Sequence, residues 1–491
     1  MGKVAVFVCS CGDEISKNID LDTTLDHVKK NPSVIALKHD SLCLPQGEEF
    51  IKKTLTEGDT ERVVIAGCSP KLNEILFKRI LKDSNLNPYF LEMANIREQC
   101  AWVHTNKNEA TQKAKALISA AIEKVLAAEQ IESASFPANN SILIIGAGVA
   151  GIQAAVDLAD QGFKIYLIDR GPTIGGNANR LYVAFPTDDC IYCVASSKNL
   201  PGIRKCLYRA GLTLHPNIEV LTNTQVKSIE GAVGNFKVIV EKKPRFINER
   251  LCIACGRCSE VCPVLVPNEF NFGINNRKAI YMPFPGAIPF TYLIDEKNCK
   301  FNACKKCVVV CPTRAVEFTQ ETVELPLKVG AIIVATGYEE YIPDKITEYG
   351  FGVFKNVVTQ SYLARMLDPA GPTGGKVIKI SDGKEAKKIL MIQCVGSRDE
   401  KTNWYCSGIC CMFALKHTIV MKQRYPDIDI IVSYIDIRTP GDYESYYLKA
   451  REIGVTFVRG KPAEIVEDPQ TKQITVKIED TILGGAVEHT A

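Results

Sequence analysis

Two cysteine runs, each closed by a proline, constrain this chain more than any other feature. Cys252-x2-Cys255-x2-Cys258-x3-Cys262-Pro263 is followed by Cys299-x4-Cys304-x2-Cys307-x3-Cys311-Pro312. In such tandem runs three closely spaced thiolates wrap one [4Fe–4S] cluster, and the fourth, before proline, ligates the other. The spacing therefore groups Cys252, Cys255, Cys258 and Cys311 around one cluster, and Cys299, Cys304, Cys307 and Cys262 around a second. The loops must turn backbone N–H groups toward sulfur, and Gly256 suits such a turn. Structural zinc also uses Cys-x2-Cys pairs. Two four-cysteine runs both ending in Cys-Pro fit a two-cluster ferredoxin module better. The second run has two extra residues after Cys299, a departure that bears on that ligand alone.

Composition places this module in an ordinary globular setting. The chain has 491 residues, enough for two to four domains, and 46% are hydrophobic. A net charge of +3, with basic residues spread along the chain, argues against a nucleic-acid binder. The opening residues read as a strand rather than a signal peptide, and no long apolar run suggests a membrane span. A cytoplasmic location is expected. There, twenty cysteines are metal ligands or redox groups rather than disulfides.

Hydrophobic patterning divides the chain into four segments. Residues 1–135 read as a small α/β domain, with strands near 4–8, 34–37 and 63–66 and a helix over about 108–128. A Ser/Ala/Pro/Asn stretch at 133–141 reads as a linker. Residues 136–244 begin a flavin domain, 245–316 form the inserted ferredoxin module, and 317–491 hold the rest of the flavin domain with a second Rossmann-like unit. The predicted class is α/β. Further strands are expected at 236–240, 330–334, 389–393, 428–434 and 455–458.

The flavin domain opens with an apolar strand at 142–145, then Gly146-x-Gly148-x2-Gly151, a helix to about Gln161, and a strand over 164–168 that ends at Asp169. The glycines let backbone approach a pyrophosphate at a helix N-terminus, and the acid suits ribose hydroxyls. This fingerprint does not separate FAD from NAD. Gly175-Gly176 after the acid, and the strand leading into Ala335-Thr336-Gly337, favour FAD. A tight strand end is the plainer reading of Ala335–Gly337.

Flavoprotein reductases with two nucleotide folds carry a second glycine fingerprint for nicotinamide. Here the equivalent strand leads instead into Cys394, followed by Cys406 and the adjacent Cys410-Cys411 at the start of a helix. A helix N-terminus favours thiolates and an anionic cluster. These cysteines read as a cluster taking the place of nicotinamide, against the alternative of four buried apolar cysteines. Lys416 lies about 7 Å further along the same helix than Cys411. A cation there would stabilise a reduced flavin, the bland alternative being a solvated surface lysine. In the first domain Cys9, Cys11, Cys43, Cys68 and Cys100 fall at strand ends or loops. Four of these five hold a further cluster, or all are structural thiols. Cys190 and Cys193 form a lesser pair that faces the flavin or completes a cluster, and Cys206 reads as core.

Together these features resemble the A subunits of heterodisulfide reductases, which are iron–sulfur flavoproteins. The resemblance spans essentially the whole chain. It is carried by Val8-Cys9-Ser10-Cys11-Gly12, residues 93–100, Gly146–Gly151, Phe185-Pro186-Thr187-Asp188-Asp189-Cys190, the ferredoxin insert, residues 278–285 and Cys410-Cys411. It implies a thioredoxin-reductase-like FAD domain interrupted by the ferredoxin insert. It also implies flavin-based electron bifurcation: pairs arrive from a hydrogenase or formate dehydrogenase module, one electron leaves to ferredoxin, and the other goes toward subunits B and C, which reduce the coenzyme M–coenzyme B heterodisulfide. The family's unusual cluster matches Cys394, Cys406, Cys410 and Cys411, and its flavin-facing lysine matches Lys416. Family members continue into a last flavin-domain strand and a C-terminal ferredoxin domain. A separate chain supplying that part, or a fragmentary sequence, is the expectation here. Two alternatives share these motifs: a related component of a quinone-interacting or aromatic-ring reductase complex, and a non-catalytic electron relay.

Overall fold

The computed structural model of the chain describes residues 3–132, 135–184, 193–195, 204–206 and 212–490, with 193–195 and 204–206 described by their backbone alone. The chain divides into two compact units, Met1–Phe136 and Pro137–Ala491.

The first unit alternates strand and helix: β1 Lys3–Cys9, α1 Leu21–Val28, β2 Val34–His39, α2 Pro45–Glu57, β3 Thr60–Gly67, α3 Pro70–Asp83, β4 Leu91–Asn95 and α4 Lys107–Leu126. The strands form one parallel sheet in the order β2-β1-β3-β4. Val4 to Val8 are all buried, as a strand covered by helices on both faces requires. Asp20 caps α1 and Asn106 caps α4, each side chain accepting from first-turn N–H groups. A π-helical turn, Arg97–Ala101, follows β4 and buries Cys100.

The second unit opens with β5 Ser141–Ile145, α5 Val149–Asp160 and β6 Lys164–Ile168. Two short strands follow, β7 Cys193–Ala195 and β8 Arg204–Cys206, pairing antiparallel with Cys193 opposite Cys206. Next come β9 Ile218–Leu221, β10 Thr224–Ala232 and β11 Asn235–Lys242. The cysteine-rich insert holds α6 Arg257–Glu260, β12 Leu265–Pro267, β13 Asn276–Lys278, β14 Ile280–Tyr281, β15 Leu293–Ile294 and α7 Lys306–Val310. The chain then returns through β16 Val323–Val329 to β17 Ala331–Val334. A parallel sheet runs β17-β5-β6-β9, and Ile152, Ala155, Val156 and Ala159 of α5 are buried with it at helical spacing.

The insert is tolerated because its two ends are neighbours. β11 and β16 pair antiparallel, Lys242 opposite Val323, and an isolated bridge between Ile247 and Val316 closes the neck. The excursion therefore keeps a small core of its own, built on Phe246, Ile247, Ile280, Ile294 and Ala315. Beyond β17, α8 Gln360–Leu367 leads to a second parallel sheet made of β18 Lys388–Ile392, β19 Asp429–Tyr434 and β20 Val455–Arg459. The helices α9 Cys410–Arg424 and α10 Glu444–Glu452 connect its strands. An antiparallel meander, β21 Pro462–Glu467, β22 Ile474–Asp480 and β23 Gly485–Thr490, completes the described chain. No helix among the described residues is long and apolar enough to cross a membrane.

Candidate functional site

The glycine turn after β5 is shaped by close backbone contacts. Gly146 has φ +102, and a Cβ there would stand 2.3 Å from the Ala335 carbonyl oxygen. A Cβ on Gly151 would stand 1.9 Å from the Gly146 carbonyl oxygen, so glycine alone lets α5 pack this close to the turn. Gly148 differs. It is the N-cap of α5 without a side-chain cap, and a Cβ there would meet nothing within 4 Å. Those three environments fit a pyrophosphate at the α5 N-terminus: two glycines for packing and one facing open space. Gly175 and Gly176 are both left-handed, the Gly175 N–H donates to the Ala147 carbonyl at 2.6 Å, and a Cβ on Gly176 would lie 3.1 Å from Gly148 Cα. Thr336 and Gly337 follow directly after the Ala335 contact, Gly337 with φ +74. The Asp169 carboxylate accepts the Ala147 N–H at 2.8 Å and the Gly171 N–H at 2.7 Å. It holds the glycine turn in place, and each oxygen keeps a lone pair for a ribose hydroxyl.

The insert sorts its eight cysteines four and four. One concavity of about 330 Å³ is lined by Cys252, Cys255, Cys258 and Cys311, with Ile247, Tyr292 and Ala315 among its walls. A second, of about 360 Å³, is lined by Cys299, Cys304, Cys307 and Cys262. Each concavity thus takes its fourth cysteine from the other run. The same local geometry recurs in both. Gly256, before Cys258, has φ +84, and Lys305, at the corresponding place before Cys307, has φ +52. The two residues added after Cys299 are taken up in a 3-10 turn at Phe301–Ala303, and the Phe301 N–H donates to Cys299 Sγ at 3.3 Å. The Ala315 N–H donates to Cys311 Sγ at 3.2 Å. Burial, reinforced by Cys252, pushes the Cys258 thiol up to about 12. Burial and then Cys299 push Cys307 up to about 11. Burial thus keeps Cys258 and Cys307 protonated at neutral pH, so a metal bound by either would have to displace a proton.

In the second parallel sheet, Cys394 directly follows β18 and Cys410 begins α9, where a nicotinamide-binding fold would place its glycine turn. Cys394 and Cys411 are buried. The Cys410 thiol hydrogen-bonds to both of them, so its own thiolate is favoured while theirs are disfavoured. Cys406 acts on Cys394 and accepts the Gly408 N–H at 3.4 Å. Arg398 hydrogen-bonds to Cys394 and pairs with Asp436, a link that spacing alone does not reveal. Further along α9, Lys416 is only 4% exposed, with its Nζ 5.7 Å from the Phe413 ring centre. A solvated surface lysine is therefore not what the fold holds. The neighbouring His417 is fully buried, its Nδ1 lies 2.6 Å from Gln360 Oε1, and burial together with Lys416 pushes it down to about 3.

In the first unit Cys9 comes within electrostatic reach of Cys11 and Cys43, and Cys43 of Cys11 and Cys68, whereas no cysteine acts on Cys100. Cys100 sits fully buried in the core with Lys113 as its charged neighbour. Arg97 Nη1 donates to Cys11 Sγ at 3.3 Å, and Asn73 Nδ2 donates to Cys68 Sγ at 3.2 Å. Sequence spacing points to neither donor, although Arg97 lies within the segment 93–100 that carries the resemblance. Phe185 to Cys190 lie outside the described residues, and for Cys193 and Cys206 only the strand pairing is described.

With this geometry in hand, the relatives are informative. The pyridine nucleotide-disulphide oxidoreductase family matches residues 140–280, which contain the glycine turn and Asp169. The iron-sulfur A subunit (form 1) of the CoB–CoM heterodisulfide reductase of Methanopyrus kandleri is 48% identical over all of this chain and 73% of its own length. The A subunit of the H(2)/formate:CoB-CoM heterodisulfide,ferredoxin reductase of Methanococcus maripaludis is 45% identical over the same shares. The A subunit of the H(2):CoB-CoM heterodisulfide,ferredoxin reductase of Methanothermobacter marburgensis is 43% identical over 99% of this chain and 73% of its own. Identity at this level along the whole chain means that it belongs to the A-subunit family of heterodisulfide reductase, the iron–sulfur flavoprotein oxidoreductases.

Proposed function

We propose that this chain is the electron-bifurcating component of a heterodisulfide reductase-type complex and carries one FAD and four [4Fe–4S] clusters. The observation that carries this reading is the crossed four-and-four grouping of the insert cysteines. Adjacent cubane sites that share their sequence runs form an electron relay. Cys252, Cys255, Cys258 and Cys311 would hold one cluster, and Cys299, Cys304, Cys307 and Cys262 the next. Cys394, Cys406, Cys410 and Cys411 would hold a third. Cys9, Cys11, Cys43 and Cys68 would hold a fourth, leaving Cys100 as a core thiol.

Gly146, Gly148 and Gly151 would bind the FAD pyrophosphate, Asp169 its ribose, and Gly175, Gly176 and Ala335 to Gly337 would flank it. FAD, when bound, supplies the exchange between two-electron and one-electron chemistry. The residues around it set the conditions for that exchange. Asp169 keeps the glycine turn closed. Lys416 supplies a buried positive charge, and His417 stays neutral beside it. Arg398 offers a cation to the Cys394 group. The partners proposed are a hydrogenase or formate dehydrogenase module as donor, with ferredoxin and the subunits B and C that reduce the heterodisulfide as acceptors. The name of the M. maripaludis relative pairs hydrogen or formate with heterodisulfide and ferredoxin, and that of the M. marburgensis relative pairs hydrogen with the same acceptors.

Anaerobic purification followed by iron, acid-labile sulfide and FAD assays tests the cofactor content. The reading expects about sixteen irons and one FAD per chain. About eight irons without flavin would leave only the insert standing. Bifurcation is tested in the assembled complex. Reduction of ferredoxin by hydrogen or formate should require heterodisulfide, and ferredoxin reduction that proceeds without it would sink that part of the proposal.

A further inference from the structure

Arg245 stands at the neck of the insert, between β11 and the first cysteine run, and is 2% exposed. Its side chain ties the flavin domain to the insert. Nη2 donates to Thr222 Oγ1 at 2.9 Å and to the Pro172 carbonyl, while Nε faces the Glu249 carboxylate at 2.8 Å. Its backbone carbonyl accepts the Ile294 N–H at 3.0 Å. Nη1 has no hydrogen-bond partner among the described residues, although it is buried. Ile247, two residues on, and Tyr292, beside Ile294 across the neck, both line the concavity of Cys252, Cys255, Cys258 and Cys311. The charged or ionisable groups that act on Arg245 are Glu249, Tyr281 and Cys252. Glu249 is the one carboxylate among them, and it is partly in solvent.

Near the second concavity, among the described residues, the one largely buried guanidinium is Arg277, and it is paired with two carboxylates, Glu269 and Asp295. The cations that line that concavity are Lys300, Lys305 and Lys306, and all three are exposed. Water and salt screen exposed charges, whereas a buried guanidinium is screened little by solvent. A cluster gains one negative charge when it takes up an electron, so a fixed cation behind its wall favours the reduced form. Burying a guanidinium whose Nη1 finds no partner and whose Nε has only the ion pair with Glu249 is costly, and an apolar residue would serve a merely mechanical neck better.

We propose that Arg245 is a positioning residue whose buried charge raises the reduction potential of the cluster at Cys252, Cys255, Cys258 and Cys311 above that of its neighbour. It thereby sets the direction in which an electron rests within the insert. This inference rests on the reading of the two concavities as cluster sites.

The test uses the full chain, purified anaerobically, with R245M, R245K and E249Q. Iron and sulfide are counted first, and cluster midpoints are then followed by EPR during reductive titration. R245M should lower one midpoint and leave the others in place, and R245K should restore it. E249Q removes the opposing charge and should raise the same midpoint. An unshifted midpoint in R245M with full iron content, or an unshifted or lowered midpoint in E249Q, would overturn the proposal. If R245M loses iron, R245Q, which keeps hydrogen-bonding groups without the charge, takes its place, and an unshifted midpoint there overturns the proposal. A wild-type chain without cubane iron in the insert would overturn the cluster reading itself, and this inference with it.

Discussion

Lys416 and His417 show how adjacent residues on one buried face divide their roles. Both lie inside α9, and burial with a neighbouring cation keeps His417 neutral, at about 3. The unfolded chain titrates this histidine near 6.5, so it takes up a proton that the folded protein refuses between those values. Stability is therefore full above about pH 6.5 and is lost as pH falls toward 3, at up to about 1.4 kcal/mol per pH unit. His417→Asn should retain the contact to Gln360 and flatten this acid dependence, read from urea unfolding at pH 7 and pH 5. Unchanged acid sensitivity would show that other groups dominate. Lys416→Met should leave iron content unchanged and lower the midpoint potential of bound FAD in a spectroelectrochemical titration. An unmoved potential would place the ammonium away from the flavin.

At the scale of elements, the β5–α5 turn separates packing from binding. Gly151→Ala forces a Cβ against the Gly146 carbonyl, so α5 must move, at a cost of about 1–3 kcal/mol and with loss of retained FAD. Gly148→Ala meets open space at φ −78, so melting should stay within about 0.5 kcal/mol of wild type. Its methyl would intrude where the pyrophosphate is proposed, weakening FAD binding on the order of tenfold, which is about 1.4 kcal/mol. Thermal melts together with FAD titration distinguish the two variants. Equal FAD affinity in Gly148→Ala and wild type would move the pyrophosphate away from this turn. The α9 N-terminus is the matching element in the second sheet. A cysteine pair replaces the glycine turn there, and the Arg398–Asp436 pair joins the segments that follow β18 and β19.

At the scale of the molecule, the first unit has its own parallel sheet and its own core from Val4 to Val125. Residues 1–136 expressed alone should therefore fold cooperatively and, after anaerobic reconstitution, hold about four irons. Cys43→Ser should abolish that iron and Cys100→Ser should spare it. The reverse result would regroup the thiols. The insert is a different case. Its way in and its way out are paired strands, and Arg245 and the Ile247–Val316 bridge tie its neck to the flavin domain. It is placed by the domain it interrupts.

The sequence by itself determined the elements whose cause is local. Apolar runs and helical spacing placed β1, β3, β5, β6, β17 and α4, because burial on both faces or on one stripe leaves its mark within a few residues. The glycine turn was legible because Gly151 and Asp169 make their contacts within about thirty residues, although Gly146 also meets the distant Ala335. The antiparallel strands β10, β16 and β21 to β23 are weaker in pattern, since exposed faces break up their apolar runs. What the tertiary structure decided are meetings across long stretches of chain. It gathered Cys9, Cys11, Cys43 and Cys68 without Cys100, buried Lys416 on a helix with little amphipathic bias, and set Arg245 at the neck of the insert within electrostatic reach of Cys252. Charge and burial at such places are properties of what surrounds a side chain, and those surroundings exist only once distant segments have packed together.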